Sequence, residues 1–352
     1  MSSAMPHSIS PAEAFAVLTQ WYKENARPLP WREAETSPWG IIVCEVMSQQ
    51  TPVSRVAPIW EEWMKRWPTP ASFSRISPAE VLLAWGKLGY PRRALRLLEC
   101  AHVICERHQG IVPAVREDLL ALPGIGPYTA DAVLAFAFQK RSTVLDTNIR
   151  RVLARWHGTA LPAPHQTKAE AERAHTFVPH TGAAAAQWNE AIMEFGALVC
   201  TSKKPVCNKC PCTDYCQWQK AGYPADTYSA TRKPQQYEGT QREARGKILD
   251  ILRNRHPALP SLKQHCDDTS QESSRKNARY LRSQGKDVSP ISVTKKELLA
   301  ASGLNSDRFF PAFEALIADG LIEQKGENIS LPQSTRKNTK RSLHQLSGST
   351  IR

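Results

Sequence analysis

The chain has 352 residues, enough for two or three domains that each bury a core without covalent staples, and 46 Lys and Arg against 33 Asp and Glu give a formal net charge of +13. No apolar run approaches the length of a membrane span, so the anionic partner that this charge implies is nucleic acid, unless the excess is simply a solvated basic surface. Met1 to Ser10 carry no basic stretch followed by an apolar run, so the expectation is a reducing, cytoplasmic protein that needs no disulfides.

From Pro11 to about Glu24 the residues Ala14, Phe15, Val17, Leu18 and Trp21 recur on one helical face. Pro28-Leu-Pro-Trp-Arg32 stops that helix and leaves Trp31 and Arg32 either presented to a ligand or folded onto the next element. The next helix, about Pro38 to Gln50, is almost continuously apolar from Ile41 to Met47, with Glu45 in its middle. A carboxylate there is costly unless paired or protonated, so Glu45 is either a buried ion-pair partner or an acid with a raised pKa. Gln49 lies one turn on, followed by Gln50 and Thr51, and an amide-rich end beside such an acid suits work on a heterocycle.

Trp60, Trp63 and Trp67, then Ala94, Leu95, Leu98 and Ala101, form core stripes on the helices that follow. Between them Gly89-Tyr90-Pro-Arg-Arg93 combines a close-approach glycine, an aromatic and two cations, which fits either base stacking or a capped turn with a packed ring. Leu122-Pro-Gly124-Ile-Gly126-Pro-Tyr128 reads as a helix-hairpin-helix whose second helix opens at Pro127. Its backbone N–H groups beside a helix N-terminus offer a seat for a phosphate, the plainer alternative being a connector. Asp146 precedes a helix with Ile149, Val152, Leu153 and Trp156 on one face and serves as its N-cap, or pairs with Glu45. Two carboxyls in different settings, one protonated and one ionised, are the means by which glycosidic bonds are cleaved.

Cys200, Cys207, Cys210 and Cys216, spaced by six, two and five residues, fit one soft metal centre better than a disulfide framework. The six-residue gap is longer than usual for zinc. Cys212 lies outside that spacing, and Cys44, Cys100, Cys105 and Cys266 are scattered.

Leu-Pro-Gly124-Ile-Gly126, Leu-Asp146-Thr-Asn148 and the cysteine loop, in this order, resemble the helix-hairpin-helix DNA glycosylases with an iron–sulfur cluster, from about Pro11 to Gln219. Within them Glu45-Val-Met-Ser-Gln-Gln-Thr51 is similar to the pattern of the MutY-type adenine glycosylases. The resemblance implies an all-α core that removes adenine mispaired with 8-oxoguanine or guanine from double-stranded DNA, acting as a monomer. It implies Glu45 as the acid that protonates the leaving base, Asp146 as the carboxylate facing the sugar cation, and Tyr128 and Asn148 as their hydrogen-bonding neighbours. Gln50 and Tyr90 would wedge into the duplex, Gln49 would favour adenine, and Gly124, Gly126, Lys203 and Lys204 would hold the backbone. Cys200, Cys207, Cys210 and Cys216 would ligate a [4Fe–4S] cluster. Tyrosine at 128, where bifunctional relatives place lysine, implies hydrolysis without strand cleavage. Thymine glycosylases acting on T:G mismatches share the core and remain the rival, as does a non-catalytic mismatch-binding scaffold.

The core is expected over residues 1–222 with the cluster loop at 200–216, followed by a linker at 223–240. The Nudix-like domain in which MutY-type proteins commonly continue is not recognisable after it. A helix at Gly246–Arg253, a capping box at Thr294 to Glu297, a helix from Ser306 to Asp319 and a hairpin about Gly326 instead resemble a small α+β winged-helix-like module over 241–332. A polar insert at 263–290 and a basic tail at 333–352 are expected to be disordered.

Overall fold

The computed structural model describes residues 9–232, 236–256 and 292–334; the expected insert at 263–290, Cys266 and nearly all of the basic tail lie outside the described residues. The chain divides into two compact units, one running to Phe73 and again from Glu99 to Gln235, the other holding Ser74–Leu98 and the residues from Gln236 onward. The stretch Ser74–Leu98 therefore groups with the C-terminal residues rather than with the core that flanks it in sequence.

The first unit is helical. Helix α1 (Pro11–Asn25) opens with a capping box in which the Ser10 hydroxyl accepts from the Glu13 N–H and the Glu13 carboxylate accepts from the Ser10 N–H. Helices α2 (Pro38–Ser48), α3 (Val53–Arg66) and α4 (Pro70–Phe73) follow. The chain returns from the second unit within α6 (Arg92–His108), after α5 (Pro78–Trp85), and continues through α7 (Arg116–Leu120), α8 (Pro127–Phe138), α9 (Thr147–Trp156), α10 (Lys168–Phe177), α11 (Gly182–Leu198) and α12 (Gln217–Lys220).

Tryptophans make the floor beneath α2. Trp63 and Trp67 pack edge-to-face at 5.3 Å, Phe73 lies 5.1 Å from Trp63, and the Trp60 indole donates to the Gly40 carbonyl at 2.8 Å. Both faces of α2 are thus covered, by α3 and by α8, which is why its sequence is apolar almost throughout. Trp31 packs against Trp60 at 5.8 Å. Arg32 folds inward as well: with Arg27 it grips Glu194, whose side chain is 1% exposed, at 3.0 and 2.7 Å. Burial works against that charge, but the hydrogen bonds from Arg27 and Arg32 outweigh it and hold the Glu194 pKa at about 2.

Helix α11 is the axle of this unit, lying against α1, α8 and α9 and burying Trp188, Ile192 and Phe195. Close approach to α9 requires Gly196, since a Cβ there would meet the Asn148 Cβ at 2.8 Å and its carbonyl oxygen at 3.1 Å. The segment expected as a linker is partly pinned to this unit, because Arg232 bonds Asp226 at 2.7 Å and donates to the Pro162 carbonyl at 2.5 Å.

In the second unit α13 (Gln241–Asn254) starts five residues earlier than expected, because Thr240 caps it by accepting from the Glu243 N–H. Strand β1 (Val293–Thr294), helices α14 (Lys295–Ser302) and α15 (Ser306–Ala318), and strands β2 (Glu323–Lys325) and β3 (Asn328–Ser330) follow. The Thr294–Glu297 capping box is present, α14 ends at left-handed Gly303, and β2 and β3 form a hairpin about Gly326. β1, absent from the sequence reading, pairs antiparallel with β3 in a sheet of order β1-β3-β2. Ile248, Leu252, Leu298, Phe309, Phe313 and Ile329 form the core. No helix among the described residues is long and apolar enough to cross a membrane.

Gly196→Ala tests the α9–α11 contact. Although alanine is the better helix former, the overpacked methyl is expected to cost about 1–3 kcal/mol, read as a lowered thermal midpoint.

Candidate active site

Helices α2 and α8 pack side by side, and their pairing brings Glu45 next to Tyr128. Glu45 sits between buried Cys44 and Val46 and is itself partly buried. Burial raises its pKa to about 7; the Tyr128 hydroxyl, which hydrogen-bonds to it, lowers it, and the charge of Asp146 raises it further. The phenol pKa of Tyr128 is itself raised, by burial first and then by the Glu45 and Asp146 charges. These three side chains, 101 residues apart from first to last, therefore share one site. Of the two readings left open for Glu45, an ion-pair partner and an acid with a raised pKa, the surroundings match the second.

Asp146 is the N-cap of α9, and its charge also reaches Glu45. As N-cap of α9 its carboxylate accepts from the Ile149 N–H at 2.6 Å, and its other oxygen accepts from the Asn148 amide at 2.7 Å. Burial raises its pKa while these donors pull it back. The two carboxyls are thus set apart: at Glu45 burial outweighs the one hydroxyl donor, whereas Asp146 has several donors that oppose the rise burial causes.

Behind Asn148 stands Arg151, 7% exposed. Its guanidinium donates to the Asn148 side-chain oxygen at 2.8 Å, to the Gly196 carbonyl at 2.6 Å and to the Cys200 carbonyl at 2.7 Å. One turn on, Arg155, 2% exposed, donates to the Cys200 sulfur at 3.2 Å and to the carbonyls of Thr201 and Ser202 at 2.8 and 3.1 Å. Its other side faces the Trp218 ring at 4.4 Å. Neither arginine was singled out from the sequence. Their spacing of four along α9 was the available signal, since it places both on one face of the helix.

Cys200, Cys207, Cys210 and Cys216 line one cavity together with Arg155, Pro205 and Trp218. All four are free thiols. Among the described residues, no three His, Cys, Asp or Glu side chains converge as ligands of one ion. Cys212 is fully buried in the hydrophobic core beside this loop, which accounts for its place outside the spacing.

The hairpin lies between α7 and α8, with Gly124 at φ +80° and Gly126 capping α8. A Cβ on Gly126 would meet nothing within 4 Å. Lys203 and Lys204 are exposed on the cysteine loop. Gln49 ends α2 and donates to the Thr129 hydroxyl at 3.4 Å, while Gln50 is exposed in the left-handed region at φ +56°. Tyr90 shares that backbone state, at φ +47°, and lies in the second unit.

Residues 43–175 match the family model described as the HhH-GPD superfamily of base excision DNA repair proteins. The chain is 50% identical over 247 residues to the adenine DNA glycosylase of Mycolicibacterium smegmatis, covering 70% of this chain and 81% of that one. The structure of a thermostable thymine-DNA glycosylase superposes with a TM-score of 0.54 at 29% identity, over 60% of this chain and 97% of the other. An endonuclease III in a non-covalent complex with DNA superposes with a TM-score of 0.52 at 19% identity, over 61% and 98%, a likeness of fold alone.

The raised Glu45 pKa fixes a sign for stability. The folded chain holds the proton more tightly than the unfolded one, so this group's contribution is full below pH 4.5 and is lost as pH rises through about 7. Glu45→Gln removes that loss, and its thermal midpoint is expected to exceed that of the parent by a margin that grows across this window.

Proposed function

Because this chain belongs to the adenine DNA glycosylases of the helix-hairpin-helix base excision repair superfamily, we propose that it hydrolyses the N-glycosidic bond of adenine mispaired with 8-oxoguanine or guanine in double-stranded DNA. The observation that carries the assignment of roles is the contrast between Glu45, with a pKa near 7 and a tyrosine hydroxyl for company, and Asp146, ringed by N–H donors.

Adenine leaves the stack before its bond can be reached, at a cost of a few kcal/mol that a mispair reduces. Protonated Glu45 gives its proton to the departing base as the C1′–N bond breaks and the electron pair goes to adenine. Asp146 remains anionic and faces the oxocarbenium-like sugar. A water oxygen then bonds to C1′ and its proton passes to the carboxylates, so that one water is consumed and the acid is restored. Tyr128 and Asn148 hold the two carboxyls in place. No amine stands at position 128 to form a Schiff base, so the product is an intact strand with an abasic site.

Gln50 and Tyr90 fill the gap in the stack. The open space at Gly126, the hairpin N–H groups and exposed Lys203 and Lys204 support close approach of phosphates. Four cysteines lining one cavity offer an all-sulfur donor set that suits a [4Fe–4S] cluster, and the six-residue first gap is longer than usual for zinc. Held there by Cys200, Cys207, Cys210 and Cys216, the cluster would supply rigidity to the lysine-bearing loop. The order of helices and hairpin in the second unit supports a winged-helix-like module, and the chain is proposed to act as a monomer.

Duplexes carrying adenine opposite 8-oxoguanine or guanine are expected to yield abasic sites without strand breaks, at a rate that falls as pH rises through about 7. Glu45→Gln should abolish release while retaining binding. Release of thymine from T:G with adenine untouched would assign the chain to its thymine-glycosylase relatives, and release from no mispair would leave a binding scaffold. Iron removal by chelation is expected to weaken binding to mispaired DNA; apo-protein that bound as tightly as the holo form would remove the cluster from that role.

A further inference from the structure

Tyr90 is held by a residue that lies outside the glycosylase resemblance. Within the second unit the Arg242 guanidinium, on α13, donates to the Tyr90 hydroxyl at 2.7 Å and to the Gln236 carbonyl at 3.3 Å, and it packs 5.6 Å from the Tyr237 ring. Below the ring the backbone is pinned too, because the Trp85 indole and the Arg93 guanidinium both donate to the Gly89 carbonyl, at 2.9 and 3.2 Å. Arg93 also lies 5.5 Å from the Tyr90 ring. The stretch around Tyr90 is tied to the C-terminal helices a second time through Asp319, at the end of α15, which pairs with Arg92 at 3.2 Å and with Arg245. Despite all this Tyr90 remains 38% exposed. An exposed aromatic in a left-handed backbone, secured at its hydroxyl and at its base, is a side chain oriented in advance.

We propose that Arg242 is a positioning residue for Tyr90: through the hydroxyl it fixes the ring in the orientation from which it enters the base stack, so that the C-terminal module takes part in mispair engagement without contacting the excised base. This rests on the reading of Tyr90 as a wedge. A ring free to turn must be immobilised when it stacks, and that ordering weakens binding by a factor of several for one side chain. A guanidinium hydrogen-bonded to the hydroxyl meets this requirement before DNA arrives.

The full-length protein carrying Arg242→Ala, Arg242→Lys, Tyr90→Phe, Tyr90→Ala or the pair Arg242→Ala with Tyr90→Phe is titrated against a duplex with adenine opposite 8-oxoguanine and against the same duplex fully paired. Arg242→Ala and Tyr90→Phe are each expected to raise the Kd for the mispaired duplex about five- to tenfold, leaving that for the paired duplex unchanged. The double variant should bind no more weakly than either single one, and Arg242→Lys should recover part of the loss, since a donor remains. Equal weakening on both duplexes, with Arg242→Ala adding to Tyr90→Phe, would make Arg242 a phosphate contact and overturn the proposal. A lowered thermal midpoint in Arg242→Ala whose binding defect Tyr90→Phe does not reproduce would make it a structural residue and overturn it likewise. Tyr90→Ala without effect on mispair binding would remove the wedge on which the proposal stands, whereas a large Tyr90→Ala effect beside a silent Arg242→Ala would reject the role of Arg242 alone.

Discussion

A guanidinium cannot lose its charge at any ordinary pH, so once buried it must be surrounded by acceptors in the geometry of its own fork. Arg151 imposes that requirement on the first unit. Four acceptors meet it: a carbonyl from α11, a carbonyl from the start of the cysteine loop, the side chain of Asn148 and the carbonyl of Thr147 one turn back. Breaking one would leave a buried charge short of a partner, which costs far more than the bond itself contributes when made. Helix α9, helix α11 and the loop are therefore locked at the point where Asn148 presents its amide to Asp146. Gly196 belongs to the same constraint, because its missing Cβ leaves room for α9.

The contrast between the two carboxyls grows from that frame without further charged residues. Glu45 lies within an apolar helix covered on both sides, and Asp146 lies at a helix entrance whose orphan N–H groups need an acceptor. Two carboxyls on rigid elements thus differ in proton affinity because one is surrounded by hydrocarbon and the other by donors. The capping role that made Asp146 look ordinary in the sequence is what opposes the rise in pKa that its burial causes.

Features written in local order were legible from the residues. The break at Pro28 to Pro30, the glycine hairpin before Pro127, the Asp146 cap, the Thr294 capping box and the turn at Gly326 each depend on neighbours within a few positions. Side-chain fates set by distant partners were not. Arg32 looked as available for a ligand as for packing until α11 placed Glu194 beneath it, and nothing within a few positions of Arg151 and Arg155 marked them as buried. The grouping of Ser74–Leu98 with the C-terminal residues was hidden for the same reason, since its ties run through Arg242 and Asp319, more than 140 residues downstream. Strand β1 is only two residues long, too short to show alternation, and exists because β3 offers it an edge.

Gln50 and Tyr90 both occupy left-handed backbone with full side chains. Glycine at either position would ease the turn, and the strain kept there is of order 1–3 kcal/mol per residue. The two proposed wedges are thus places where the free protein is less stable than it could be. A search for heat-resistant variants that screened folding alone would favour glycine at both, and would gain durability by removing the two side chains proposed to meet DNA.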